Sequence, residues 1–419
     1  MLQKIREEMF FVPNEALAAS ASKINASAVG NQGIRWLLLL VAWAAFFMSF
    51  ADRLAWSNLA GAVSHSLTLP LAGLGAFVTA FYIGYVISNI GAGFAGDWLG
   101  PRLTLAASLL CLGLATFLFG SVQSIAMGLL LQVVMGLTAG ADYVAGVKLI
   151  ATWFDKLERG RAMGLFMTAT SLAVVVTNLT VPVLLTQFGW QNAYRTLGGV
   201  TIGLGIVAYV LVRDAPGRAA SLHTRPDFGA LWPNRELRLL ALAGFGALWG
   251  TWGFAFWAGT LMVRGHGLTV VQSGFVVALF GAGAIVAKPT IGLVSDWLGG
   301  RRKALVIGCL VFFVMMMLVF SQLETFTAFE IAGPLLGIGA FAYSPLMNTM
   351  VAEASGKELA SSGAGVTNAI WGLGNVIVPS LLGLVFQQTG SFVLACLTLS
   401  AGPLFGAICM AFTRDAVEA

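Results

Sequence analysis

Apolar stretches of about 20 residues recur along the whole chain, separated by short segments carrying glycine, proline and charge. They lie near 34–62, 71–95, 103–121, 125–152, 162–186 and 193–213, and again near 239–262, 270–294, 303–321, 326–352, 361–387 and 391–413. A helix of about 20 residues crosses a hydrocarbon core of roughly 30 Å, so the pattern predicts an all-α membrane protein with twelve transmembrane helices. The longest polar interval, "RDAPGRAASLHTRPDFGALWPNRELR", divides them into six and six. The predicted organisation is a tail over 1–33, a six-helix bundle over 34–213, a loop over 214–238, a second bundle over 239–413 and a tail over 414–419.

Composition agrees with lipid as the solvent. Of 419 residues, 58% are hydrophobic and only 10% charged, against roughly 25% charged in a soluble domain. The net charge of +5 has a topological origin. If the N-terminus is cytoplasmic, eighteen of the 23 Lys and Arg residues fall on that side, as the positive-inside rule requires. Arg195 and Arg264 fall opposite, and Arg53, Lys148 and Lys288 lie within helices. Nucleic acid is not needed to explain the basic balance.

The first 33 residues lack the apolar core of a signal peptide ahead of "LAASAS", so they read as a retained cytoplasmic tail. Met1, Leu2, Ile5, Met9 and Phe10 leave open a short interfacial helix or disorder. Cys111, Cys309, Cys396 and Cys409 sit in apolar stretches without CxxC spacing, as small packing residues do. His65, His223 and His266 are scattered, with neither zinc spacing nor a nucleophile–base arrangement. No GxxxxGK[ST] loop offers a nucleotide site. No metal, cofactor or catalytic centre is expected.

The two halves repeat. "GFAGDWLGPR" ends the second stretch and "GLVSDWLGGRR" the eighth; Gly93, Asp97, Gly100 and Arg102 match Gly292, Asp296, Gly299 and Arg301, each pair 199 residues apart. Glycines there permit a tight turn, while Asp and Arg supply charge contacts at the membrane surface. Duplicated bundles imply a path between the halves.

These segments resemble the cytoplasmic signature of the major facilitator superfamily, G-x-x-x-D-R/K-x-G-R/K-R/K, with Trp98 and Trp297 in place of the base after the Asp and Pro101 in place of the next. "TWFDKLERGRAMGLFMTATSLA" and "GWQNAYRTLGG" are similar to the W-F-…-E-R-G-x-A-x-G and G-W-x-x-x-F segments of the anion:cation symporters. The resemblance implies the two-bundle fold, transport of small organic anions such as carboxylates and sugar acids, and frequent coupling to protons. It marks Asp97, Arg102, Glu158, Arg159, Arg161, Asp296 and Arg301 as cytoplasmic gate candidates. The first-helix pair Asp52–Arg53 matches that family's acid-plus-arginine position.

That pair poses a physical question of its own. "FMSFADRLAW" places Asp52 and Arg53 together in an apolar run, where ionisable residues are costly and functional by default. From Ile34 to Gly61 the helix could span about 42 Å, so Arg53 need not lie at its end. Ser49, Arg53 and Ser57 form one stripe. Adjacent residues do not face each other on a helix, which leaves the Arg53 fork for a carboxylate. Arg53 is the candidate substrate anchor; Asp52 either carries a coupling proton or pairs on another helix. Asp142, about 16 Å before Trp153, is a second candidate proton carrier, although the resembling symporters place their acid one turn earlier, near Ala139.

Lys288 is the second half's comparable cation, either an anion contact opposite Arg53 or a structural partner. Lys148, five residues before Trp153, either snorkels to the surface or touches substrate. Tyr82, Tyr85 and Asn89 share one helical face, as do Asn368, Trp371 and Asn375. Asn178, Tyr343 and Asn348 are further polar candidates, each with interhelical bonding as the alternative. The tryptophan-rich "LWGTWGFAFW" lines a site or packs.

The expected function is secondary transport of a small organic anion by alternating access, as proton symport, in a bacterial plasma membrane, with a monomer as the functional unit. Anion exchange and export of amphipathic drugs are alternatives, as is a membrane receptor on the same scaffold. An enzyme would need a cluster of catalytic groups at one membrane face, which the sequence lacks. The charge bias places both termini in the cytoplasm. A green fluorescent protein fused after Ala419 is expected to fluoresce in cells, with alkaline phosphatase at the same position inactive; the opposite pair of results would invert the topology.

Overall fold

A computed structural model of the chain describes residues 14–154, 158–213, 233–298 and 301–414, with the side chains of 14–32, 71–72, 89–99, 151, 159–160, 296 and 356–362 outside the description. The central interval 214–232, the candidate interfacial residues Met1 to Phe10, and the side chains of Asn89, Asp97, Arg159 and Asp296 therefore lie outside the described residues.

Every regular element among the described residues is helical. In chain order they are α1 Asn14–Ser66, α2 Leu71–Phe119, α3 Ile125–Ala139, α4 Ala141–Trp153, α5 Arg159–Leu211, α6 Arg235–His266, α7 Val270–Trp297, α8 Arg302–Phe320, α9 Phe326–Thr389 and α10 Phe392–Ala411. Ten spans within them are long and apolar enough to cross a membrane, and Gly73–Ser88 is a shorter apolar helix. The helix is the natural solution in lipid, because it satisfies its own backbone groups.

Several sequence-predicted pairs of helices run together without a loop, for a local reason. Gly100, inside α2, has φ 77° and ψ 162°, and Gly189, inside α5, has φ 78° and ψ 165°. Each single glycine reverses the chain in a conformation that side-chain-bearing residues avoid, and helical bonding resumes at once. Pro101 follows Gly100 directly, with its φ suited to a first helical turn. Gly140 separates α3 from α4 and puts Asp142 in the first turn of α4.

The internal repeat is visible in capping and packing. Ser124 caps α3 through the Met127 amide, and Thr325 caps α9 through the Ala328 amide, both at 3.3 Å. Gly84 crosses the carbonyl of Val133 as Gly283 crosses that of Pro334, and Gly136 lies on the Phe81 carbonyl as Gly337 lies on that of Phe280. These four glycines form the same backbone-to-backbone crossing in each half, as small residues do in membrane bundles.

Across the halves, Gly75 lies against Pro379, Gly274 against the Asn178 carbonyl and Gly281 against Val174. The Thr79 hydroxyl meets the Val376 carbonyl at 2.7 Å and the Ser380 hydroxyl at 2.9 Å. Most of these contacts lie toward the turns that follow Ser66, His266 and Thr389, on the face opposite the chain termini.

A Cβ at Gly136 would collide with backbone, whereas Gly199 has nothing within 4 Å. Gly136→Leu is expected to lose the monodisperse peak in detergent size-exclusion chromatography, because overpacking against backbone costs about 1–3 kcal/mol or more. Gly199→Leu is expected to keep it.

Candidate functional site

Arg53 lies on the part of α1 that faces α2 and the second half. It is buried, 6% exposed, and its guanidinium carbon sits 4.3 Å from the Phe50 ring centre, 4.4 Å from Tyr85, 4.9 Å from Phe81 and 5.7 Å from Tyr82. Phe50 is three residues earlier on α1, and the other three lie along one face of α2. Such contacts contribute about 0.5–2 kcal/mol each, yet they leave the charge without a counter-ion. Among the described residues no acid comes within salt-bridge distance of Arg53, and its Nε is buried without a partner. A cavity of about 10 Å³, room for about one water, is lined by Arg53, Trp56, Val78, Phe81, Gln132 and Phe256. Phe256 belongs to α6, so the arginine lies where the halves meet. A guanidinium with no acid at salt-bridge distance among the described residues, set among aromatic rings with the Tyr85 hydroxyl as a hydrogen-bond partner, has the chemistry to take an anion.

The sequence neighbours Asp52 and Arg53 face different surroundings. Asp52 is buried and accepts the Thr201 hydroxyl at 2.9 Å from α5; Thr116 and Tyr194 lie beside it. This is the interior of the first bundle. Its Oδ1 has no partner. Asp142 is also buried, and its Oδ1 accepts the Tyr143 amide at 2.6 Å. Ser49 lies nearby, and the Arg53 charge reaches Asp142 without an ion pair. Asp142 Oδ2 has no partner, so Asp142, more than Asp52, shares the environment of Arg53. The first turn of α4 suits a carboxylate, because free amides point toward it.

Lys288 reaches out of α7 to the other half. Its ammonium donates to the Ser171 hydroxyl at 2.8 Å and lies 3.5 Å from that of Thr170, both on α5. It sits 5.2 Å from the Phe341 ring centre. Phe341 meets Trp252 at 6.1 Å, and Trp252 meets Phe50 at 5.6 Å. A continuous row of three aromatic rings therefore joins the two cations, one from each half.

The remaining candidates separate into site and scaffold. Tyr82 is buried with its hydroxyl unpartnered, edge-on to Phe256 at 5.7 Å. Asn375 is buried with an unpartnered amide oxygen. Asn178 instead accepts from Asn58 at 2.9 Å and donates to the Val174 carbonyl. Trp371 donates to the Leu240 carbonyl, and the Tyr343 hydroxyl meets Thr251 at 3.0 Å, both inside the second half. Asn368 and Asn348 are exposed. Lys148 is half-buried.

Of the gate candidates, Glu158 accepts both nitrogens of Arg35 at 2.6 and 3.0 Å, and Arg102 donates to the Tyr209 carbonyl at 2.9 Å. Both contacts lie within the first half. Arg161 and Arg301 are exposed. Sequence reasoning missed Gln132, Phe50 and Thr201. Gln132 carried a signal, as the lone large polar residue in "IAMGLLLQVVMGLTA"; the other two look like ordinary membrane residues.

Known proteins share this architecture. A sequence model of the Major Facilitator Superfamily matches residues 41–379. The "Probable sulfoacetate transporter SauU" of Cupriavidus necator is 24% identical over 85% of this chain and 89% of its own. The "Probable L-galactonate transporter" of Escherichia coli K12 is 24% identical over 96% of this chain and 92% of its own. The crystal structure of a bacterial homologue of the human lysosomal transporter Spinster, inward-facing and unoccupied, has a TM-score of 0.72 at 15% identity, covering 90% of this chain and 94% of that one. At that identity the likeness is one of fold. Because the family match covers residues 41–379, well over half of the chain, this chain belongs to the Major Facilitator Superfamily and is a membrane transporter, not an enzyme.

Proposed function

We propose that the chain is a secondary active transporter of small organic anions, carboxylates or sugar acids, in the bacterial plasma membrane. Dividing Arg161–Leu211 at Gly189 and adding Gly73–Ser88 to the ten long apolar spans gives twelve crossings, six in each rocking bundle. The observation that carries the reading is Arg53, held by four aromatic rings at the junction of the halves with no acid to neutralise it. The acids named for the two relatives, sulfoacetate and L-galactonate, are small organic anions of this kind.

In this reading Arg53 takes the carboxylate bidentately. Tyr82, Tyr85 and Gln132 surround it, and Asn375 serves from the second half. A cavity of about 10 Å³ cannot hold such a substrate, so loading requires Phe256 and Trp252 to swing away with their bundle. The contacts of Gly75, Thr79 and Gly274 with the opposite half close the face away from the termini. With cytoplasmic termini, this is the inward-facing side of the cycle, and those contacts part when access alternates. Asp142 carries the coupled proton, because it lies within reach of the Arg53 charge without an ion pair. Asp52 serves the same bundle from its interior, through Thr201.

Uptake of radiolabelled carboxylates into proteoliposomes, with and without an inward proton gradient, tests the proposal. Gradient-stimulated uptake is expected. Arg53→Gln is expected to lower it roughly 10- to 100-fold, the worth of a hydrogen bond to a charged group. Asp142→Asn is expected to lose the gradient effect while keeping counterflow. Counterflow insensitive to the gradient in the unmodified protein would favour an anion exchanger, while a fully active Arg53→Gln variant would remove this site.

A further inference from the structure

Lys288 stands apart from the other cations of the chain. It lies within a membrane span of the second half, its ammonium bonds only neutral hydroxyls among the described residues, and those hydroxyls belong to the first half. Hydroxyls solvate an ammonium but do not neutralise it. A lysine kept for packing alone would be replaced at lower cost by methionine, since a charge in a span is expensive wherever it is not used. The bond to Ser171 also cannot persist through the cycle, because it ties together two bundles that must move apart.

The row Phe50, Trp252 and Phe341 connects this ammonium to Arg53. The site thus has two unneutralised cations, one on each bundle, at opposite ends of an aromatic wall. A single carboxylate can satisfy one of them. Satisfying both takes an anion with a charged group at each end, and the second group would displace Ser171 and Thr170 from Lys288. The Ser171 and Thr170 hydroxyls are then placeholders, exchanged for the second charged group of a substrate.

Resting on the transport reading above, we propose that Lys288 is a specificity-determining residue that makes the transporter prefer dianions to monoanions of the same length. The preference follows from charge-assisted bonding, which is about twice as strong as bonding between neutral groups. A monoanion leaves Lys288 on its hydroxyls and gains only the Arg53 contact. Lys288 is a reader of charge number and takes no part in proton movement.

The test uses the full chain in proteoliposomes and matched pairs of acids long enough to reach both cations: tartrate and threonate, glucarate and gluconate. For the pair that the unmodified protein transports, the dianion is expected to have the lower KM. Lys288→Gln is expected to raise the dianion KM at least about tenfold while leaving the monoanion KM within about twofold, and Lys288→Arg is expected to keep the preference. Ser171→Ala separates reading from tethering: the KM ratio should survive, because the ammonium remains. Equal KM values for both members of a pair in the unmodified protein, or equal losses for both in Lys288→Gln, would overturn the role of Lys288 and leave the transport reading standing. Failure to transport any of the four acids would overturn both.

Discussion

A guanidinium without a counter-ion among the described residues, buried where the two halves of the chain meet, is the constraint around which the candidate site is arranged. Burying a charge is tolerable only where something compensates it. Around Arg53 the compensation is partial: four ring faces attract the cation, but none removes its charge. The rings also set the geometry. Phe50 on α1 and Phe81, Tyr82 and Tyr85 on α2 hold the fork from several sides, while Phe256 from the second half closes over Tyr82. The charge is therefore poorly solvated on its own half and incomplete without the other, a condition that an anion would relieve.

Glycines bring backbones together within each half and also between the halves. Gly84 with Gly136, and Gly283 with Gly337, bring backbones into contact inside each bundle. Such crossings do not slide, because backbone cannot move aside as a side chain can. Between the halves, Gly75 against Pro379 and Gly274 against the Asn178 carbonyl make equally close approaches, and exchangeable side-chain contacts stand beside them. A threonine hydroxyl meets a carbonyl and a serine, a lysine meets two hydroxyls, and aromatic edges meet aromatic faces. Each of these side-chain contacts can be exchanged for one of similar strength, as the proposed rocking of the halves would require.

The helical spans and the repeat were legible in the sequence because lipid imposes them: apolar length decides the spans, and the turn glycines recur at one spacing. The run-together helices were not, since the intervals near 96–102 and 187–192 read as loops, whereas single residues, Gly100 and Gly189, make the reversals inside otherwise continuous helix. Arg53 was legible as a charge where charges are costly. Its cage was half legible: Tyr82 and Tyr85 stand out as polar aromatics, but Phe50 and Phe81 resemble the chain's other phenylalanines. Asn178 resembled Asn375 in sequence, yet one is satisfied by Asn58 and the other has an unpartnered oxygen. Which side chains meet across helices depends on rotation and depth, and composition does not encode either.

Helix rotation also explains why an acid and a base stand side by side in "FADR". Consecutive residues on a helix point about 100° apart, so neighbours in sequence serve different faces. Asp52 is turned into the first bundle, toward Thr201, and Arg53 toward the junction with the second. If the pair had bonded to each other, the cation would be spent and the junction would hold nothing for an anion. Adjacency in sequence with separation in space keeps both charges available. It also places the interior of the first half and the proposed anion site on a single turn of α1.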